Sequence, residues 1–186
     1  MKRNLLSIVC FIFIYMLSYA QDIAEPDFIG EVIAVKDGES TGLLEKNTVQ
    51  LKTKAGASLY IVGVGSVKTR ITVDGCCSKT TFKTSDDFSF IVKAVDNNTD
   101  PISIISIFKF EEKKNERRAE MSSSTTFGGA SSNNLEYLRF SAKKYGTSSY
   151  ILTLNEKPAG QYGIIVKNPN SLDEKNLIVA TFAIEN

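Results

Sequence analysis

The sequence predicts an all-β protein, a two-layer antiparallel β-sandwich, and three observations carry that expectation. Apolar and polar residues alternate with period two along most of the chain, and Gly, Asn, Asp and Pro break the runs every ~8–12 residues. No stretch shows the i, i+3, i+4 stripe of an amphipathic helix, so almost no helix is expected. Val67, Thr69, Ile71 and Val73 on one face, against Lys68, Arg70, Thr72 and Asp74 on the other, form the clearest strand, closed by Asp74-Gly75. Comparable runs lie at 28–35, 48–53, 58–64, 88–95, 102–110, 135–141, 149–155, 162–167 and 177–185.

The run Ile102-Ser103-Ile104-Ile105-Ser106-Ile107-Phe108 is apolar on both faces, as in a central strand covered on each side. Each such side chain contributes about 1.5–3 kcal/mol when fully buried, so Ile105→Asp is an expected destabilising change. Residues 111–118 mix charges of both signs with no apolar stripe and read as the solvated end of a strand or an arm. Residues 122–134, rich in Ser, Gly and Asn, read as a flexible loop and a possible subdomain boundary. The piece that follows offers too few strands to fold alone, which favours a single sandwich spanning 21–186.

The N-terminus carries an address. Lys2 and Arg3 precede an apolar stretch at 5–17, and Ser18-Tyr19-Ala20 places small residues at −3 and −1 of a cut before Gln21, the pattern of a Sec-type export signal at 1–20. The apolar stretch is short of the ~20 residues that span a bilayer, so no integral membrane segment is expected after processing. The expected location is periplasmic, cell-surface or extracellular.

Composition removes several function classes. The chain has 22 basic and 21 acidic residues, and losing Lys2 and Arg3 leaves it near neutral, without the charge excess that nucleic-acid binding or an anionic membrane demands. With no His, Ser-His-Asp and Cys-His catalysis and His-containing metal sites are excluded. No Trp is present, which leaves Tyr60, Tyr137, Tyr145, Tyr150 and Tyr162 as stacking platforms for a sugar. Only Cys76 and Cys77 remain after processing. Neighbouring Cα atoms lie ~3.8 Å apart, below the usual disulfide range, so two unpaired thiols in a turn are expected, with a vicinal disulfide or an intermolecular link as alternatives.

Few motifs suggest chemistry. Asp96-Asn97-Asn98-Thr99-Asp100-Pro101 begins like a calcium loop, but Pro101 stands where Gly is needed and Ile107 where the bidentate Glu belongs. It reads instead as an Asx-rich turn in which Asp96, Asn98 and Asp100 are candidate partner-binding side chains. Asn97-Asn98-Thr99 is also a glycosylation sequon. Gly63-Val64-Gly65-Ser66-Val67-Lys68-Thr69 lacks the Gly before Lys that a phosphate loop requires. Asp74, Asp86, Asp87, Asp96 and Asp100 are carboxylates of the right type for glycoside cleavage, with nothing to show that any two face each other. Leu154, Pro158, Gly160 and Tyr162 form the most specific structural motif, a strand end and crossing at which the Tyr162 hydroxyl reaches back to the corner backbone. The motif resembles the tyrosine corner of immunoglobulin-like and fibronectin-like sandwiches, and the architecture expected for the whole chain is an immunoglobulin-like or jelly-roll-like sandwich.

The signal ending Ala20-Gln21, Lys52-Thr53-Lys54-Ala55-Gly56, the turn at 96–101, and Lys157-Pro158-Ala159-Gly160-Gln161-Tyr162-Gly163 leading into the closing strand together resemble secreted β-sandwich, immunoglobulin-like proteins of gut Gram-negative bacteria. That resemblance implies an envelope or extracellular location and a two-sheet fold. The group has no established activity or functional residues to carry over, and Cys76-Cys77 departs from it. The expected function is that of an exported, non-enzymatic protein acting through a binding surface, with a protein or glycan partner and no cofactor or metal. An envelope assembly subunit that pairs through strand edges, and a carboxylate-only glycoside hydrolase, are the alternatives. No oligomer signal is evident.

Overall fold

A computed structural model describes residues 23–168 and 176–186, so the export segment expected at 1–20 lies outside the described residues. The first half contains β1 (Val32–Lys36), β2 (Glu39–Leu43), β3 (Glu45–Gln50), β4 (Lys52–Ala55), a short helix α1 (Ala57–Val62), β5 (Ser66–Asp74), β6 (Thr81–Lys83) and β7 (Phe88–Lys93). The second half contains a one-turn helix α2 (Pro101–Ile104), β8 (Ile105–Lys113), β9 (Glu116–Thr125), β10 (Gly129–Ser131), β11 (Phe140–Tyr145), β12 (Ser149–Leu154), β13 (Gly160–Val166) and β14 (Asn176–Glu185). The strands form two sheets. One runs β11-β12-β7-β1-β2; the other runs β3-β14-β13-β8-β9-β5-β4, with β10 added to β9 and β6 to β14. Among the described residues every strand pairing is antiparallel except that of β6 with β14.

Period-two burial builds the sandwich. Val32, Ala34, Phe88, Phe90, Val92, Tyr150, Leu152 and Leu154 of the first sheet face Ile105, Ile107, Tyr162, Ile164, Ala180, Phe182 and Ile184 of the second. Aromatic rings knit the layers: Phe90 and Phe182 lie 4.6 Å apart between centroids, and Tyr162 stacks on Phe182 at 5.3 Å.

The second sheet also has a core on its other face. Phe108, Phe110 and Val179 pack there with Ile71, Val73 and Ala119 of β5 and β9, and with Val49 of β3. Strands β3 and β5 stand far apart along the sheet, so sharing one apolar cluster requires the sheet to curl over itself. Strands β8, β13 and β14 are thereby covered on both sides, and two-faced burial at Ile105, Ile107, Phe108 and Phe110 is what their unbroken apolar run predicts. Gly163 is the close-approach point: a Cβ there would lie 2.8 Å from Val179 Cγ1 and 2.9 Å from Phe108 Cζ and Phe110 Cε2.

Several segments differ from expectation, each for a local reason. Residues 58–64 are not a strand; Leu59 to Val62 do not alternate, and Gly63, at φ 69°, closes α1 by donating its N–H to the Leu59 carbonyl. Residues 102–104 belong to α2, because Asp100 caps it through the Ile102 N–H and Pro101 occupies its first turn; the strand starts at Ile105. The charged stretch at 111–118 is the β8–β9 hairpin, pairing Glu111 with Arg118, Glu112 with Arg117 and Lys113 with Glu116, and Arg117 is buried. The Ser-rich stretch at 122–134 carries β9 through Thr125 and folds back as β10. Cys76 and Cys77 are joined to each other rather than left as free thiols, in the turn after β5.

Candidate functional site

The end of the molecule made by the β4–β5 and β9–β10 connections exposes a group of large apolar side chains. Helix α1 buries none of its residues, leaving Tyr60 and Ile61 each 80% exposed and Val62 65% exposed. Phe127, 84% exposed, joins them from the β9–β10 turn, which is tied to the segment after α1: Thr126 N–H donates to the Gly65 carbonyl at 3.1 Å, and Gly65 N–H to Thr126 Oγ1 at 3.0 Å. A helix this short has no stability of its own in water, so the hairpin and the glycines around it hold the apolar face outward. Contiguous exposed apolar surface marks an interaction site.

Charge at this end is one-sided. The register sets Lys52 opposite Arg70 and Lys54 opposite Lys68, which places all four cations on one face of the β4–β5 pair. The sequence contains no Asp or Glu from 46 to 73 or from 121 to 135. Glu120 on β9 is shared by Lys68 at 2.8 Å and Arg70 at 3.6 Å, and the Lys68 ammonium holds its carboxyl below the usual carboxylate range. Lys52 and Lys54 make no ion pair among the described residues. A nearly neutral chain thus still presents a basic face, which the net charge concealed.

The residues singled out from sequence lie elsewhere and do not converge. Leu154 ends β12 in the first sheet, Gly160 opens β13 in the second, and the Tyr162 hydroxyl donates to the Pro158 carbonyl at 2.7 Å across that crossing. Burial pushes the Tyr162 phenol up to about 12, which keeps the proton on the donor. In the 96–101 turn, Asp96 Oδ1 accepts the Asn98 N–H at 2.8 Å, Asp100 Oδ1 accepts the Ile102 N–H at 3.1 Å, and Asn98 Oδ1 accepts Lys144 Nζ at 3.1 Å. These side chains serve the local backbone and the neighbouring β11. Asn97 of the sequon is buried, its amide donating to the Gly146 carbonyl at 3.2 Å, so the folded chain does not offer it to a glycosylating enzyme.

Of the aspartates, Asp86 is engaged by Lys36 at 2.8 Å and by the Lys83 N–H at 2.9 Å, while Asp74 and Asp87 are exposed. Among the described residues no group of three or more His, Cys, Asp or Glu side chains is placed to hold a metal ion, and no helix is long and apolar enough to cross a membrane. Of the five tyrosines singled out as stacking platforms, Tyr150 and Tyr162 are buried, Tyr145 donates to the Ile23 carbonyl, and Tyr60 and Tyr137 present exposed rings. The tip escaped the period-two reading because it lies in a segment expected to be a strand. Its signal was nonetheless available: four consecutive apolar residues between glycines, inside an acid-free run.

Compared with protein-family models, with curated proteins and with solved structures, the chain matches none.

Proposed function

We propose that this protein is an exported, non-enzymatic binding module that docks through its apolar tip onto the surface of an anionic membrane. The carrying observation is the exposed set Tyr60, Ile61, Val62 and Phe127 backed by Lys52 and Lys54. Helix α1 carries no charge of its own and offers apolar side chains rather than the charged and polar groups that would hydrogen-bond a glycan. A bilayer asks only for apolar area to insert and cations behind it. Each Lys or Arg near an anionic surface contributes about 1 kcal/mol, and apolar burial about 25 cal/mol per Å². Self-association through this tip would bring two basic faces together, which opposes a second copy as the occupant.

Sedimentation of the processed chain with phosphatidylcholine vesicles, with and without phosphatidylglycerol, tests the reading. Binding is expected only with the anionic lipid, weakening as salt rises and falling at least about thirtyfold for Lys52→Glu/Lys54→Glu, in line with the electrostatic term. Absence of binding to anionic vesicles, or binding that Ile61→Asp leaves intact, would return the tip to a protein or glycan partner. The export part of the proposal rests on the pattern at 1–20, and a secreted product whose mass begins at Gln21 is its expected signature.

A further inference from the structure

At the opposite side of β5 from the tip lies the turn that holds Cys76 and Cys77, and beneath it sits an unusual cation. Arg117 is 1% exposed, the bulkiest fully buried side chain among the described residues. Its guanidinium donates to the residue before the cysteine pair and to the residue after it: Nε to the Gly75 carbonyl at 3.2 Å and Nη1 to Ser78 Oγ at 2.6 Å. Ser78 is fixed in turn, its N–H and hydroxyl both donating to Gln161 Oε1, at 2.8 and 2.9 Å. The nearest carboxylate, Glu45, stands 3.9 Å from Arg117 Nη2 and also serves Lys79 at 3.6 Å. A buried cation with neutral hydrogen-bond partners and one distant, shared counter-charge favours any anion that forms beside it.

We propose that Cys76–Cys77 is a thiol-exchange site, a solvent-facing disulfide whose cleavage is assisted by Arg117. Both cysteines are exposed. A cleft of about 440 Å³ lined by Cys77, Ser78, Gln161 and Glu112 opens beside the pair and gives an incoming thiol an approach to the Cys77 sulfur. The adjacent Cα atoms lie 3.7 Å apart, closer than the ~4.4–6.8 Å at which a disulfide is relaxed, so the ring opens readily. The co-reactant is a low-molecular-weight thiol. Its thiolate attacks Cys77 Sγ, a new S–S bond forms to Cys77, the Cys76–Cys77 bond breaks, and the electron pair leaves on Cys76 Sγ as a thiolate that the guanidinium stabilises. A second thiol then displaces Cys77, yielding the small-molecule disulfide and the reduced pair, with protons supplied by solvent. A leaving thiol with a lowered pKa departs faster, which is the step that Arg117 serves.

Glutathione added to the folded processed chain, followed by alkylation and mass measurement, tests the proposal. The untreated protein should hold no alkylatable thiol, then pass through a glutathione adduct to two thiols with its circular dichroism unchanged. The reduced pair should alkylate with a half-point below the ~8.5 of an ordinary cysteine. Arg117→Met, which keeps the volume of a buried side chain, should slow reduction about tenfold, since the departing thiolate then lacks its cation. Free thiols at the outset, reduction that occurs only on unfolding, or a half-point at or above ~8.5 in the wild type would each overturn it, and none of these readouts requires the variant to fold.

Discussion

Single side chains decide how the ends of this chain are held. Glu25 crosses to the β11–β12 turn, where its carboxylate accepts from the Thr147 N–H at 2.6 Å and hydroxyl at 2.9 Å, from Ser148 N–H at 3.1 Å and from Ser149 Oγ at 2.6 Å, with Lys93 Nζ at 3.3 Å. Gly146 makes this grip possible: its φ is +53°, and a Cβ there would collide with the Glu25 carboxylate. These donors, the Ser149 hydroxyl foremost, hold the Glu25 carboxyl well below its ordinary 4.5. A depressed carboxylate adds stability that is present above the unfolded value and lost as pH falls through the folded one. Glu25→Gln should therefore cost about 1–3 kcal/mol at neutral pH and flatten the decline of stability below about pH 4.5, as urea melts across that range would show. At Gly163 the argument is steric. The ring edges of Phe108 and Phe110 and a methyl of Val179 already occupy the space of a Cβ, so Gly163→Ala should destabilise by about 1–3 kcal/mol in the same melts.

Elements were legible from sequence wherever one face was wet and the other dry. Strand β5 shows this, with Ile71 and Val73 inward and Arg70 and Thr72 outward, and β8 was readable as two-faced because its apolar residues do not alternate. Strand β9 was not, since Ser122, Ser123 and Ser124 carry the composition of a loop while their backbone pairs with β5. The burial of Arg117 was equally invisible, because its acceptors Gly75 and Ser78, and Gln161 that fixes Ser78, come from distant parts of the chain. Two of the outer strands are guarded by charge: β4 carries Lys52 and Lys54, and β11 carries Lys143 and Lys144, charges that oppose edge pairing there, whereas the exposed β2 carries no lysine. Helix α1 contributes to neither core. Ile61→Ser is accordingly expected to leave the denaturation midpoint within about 0.5 kcal/mol of wild type while lowering vesicle binding; a large loss of stability would show that α1 is a structural element and not a docking one.

At the scale of the whole molecule, the decisive feature is that three strands serve two cores. Ile107 and Phe108 are consecutive on β8, yet one belongs to the layer between the sheets and the other to the curled side of the second sheet. The same division recurs on β14, where Val179 faces one core and Ala180 and Phe182 the other. Loss of either core strips one face of β8, β13 and β14 and leaves the opposite core without a rigid wall, so the two are expected to unfold together. Phe182→Ala and Phe108→Ala, one on each side, should each cost about 3–5 kcal/mol. Both should shift one thermal transition, seen alike by near-ultraviolet and far-ultraviolet circular dichroism. If instead Phe108→Ala produced an early transition that Phe182→Ala left in place, the curled part bearing the basic tip would be a separable unit. Docking of that tip would then bear on its own stability alone; with shared strands, a ligand that binds it stabilises both cores through the common wall.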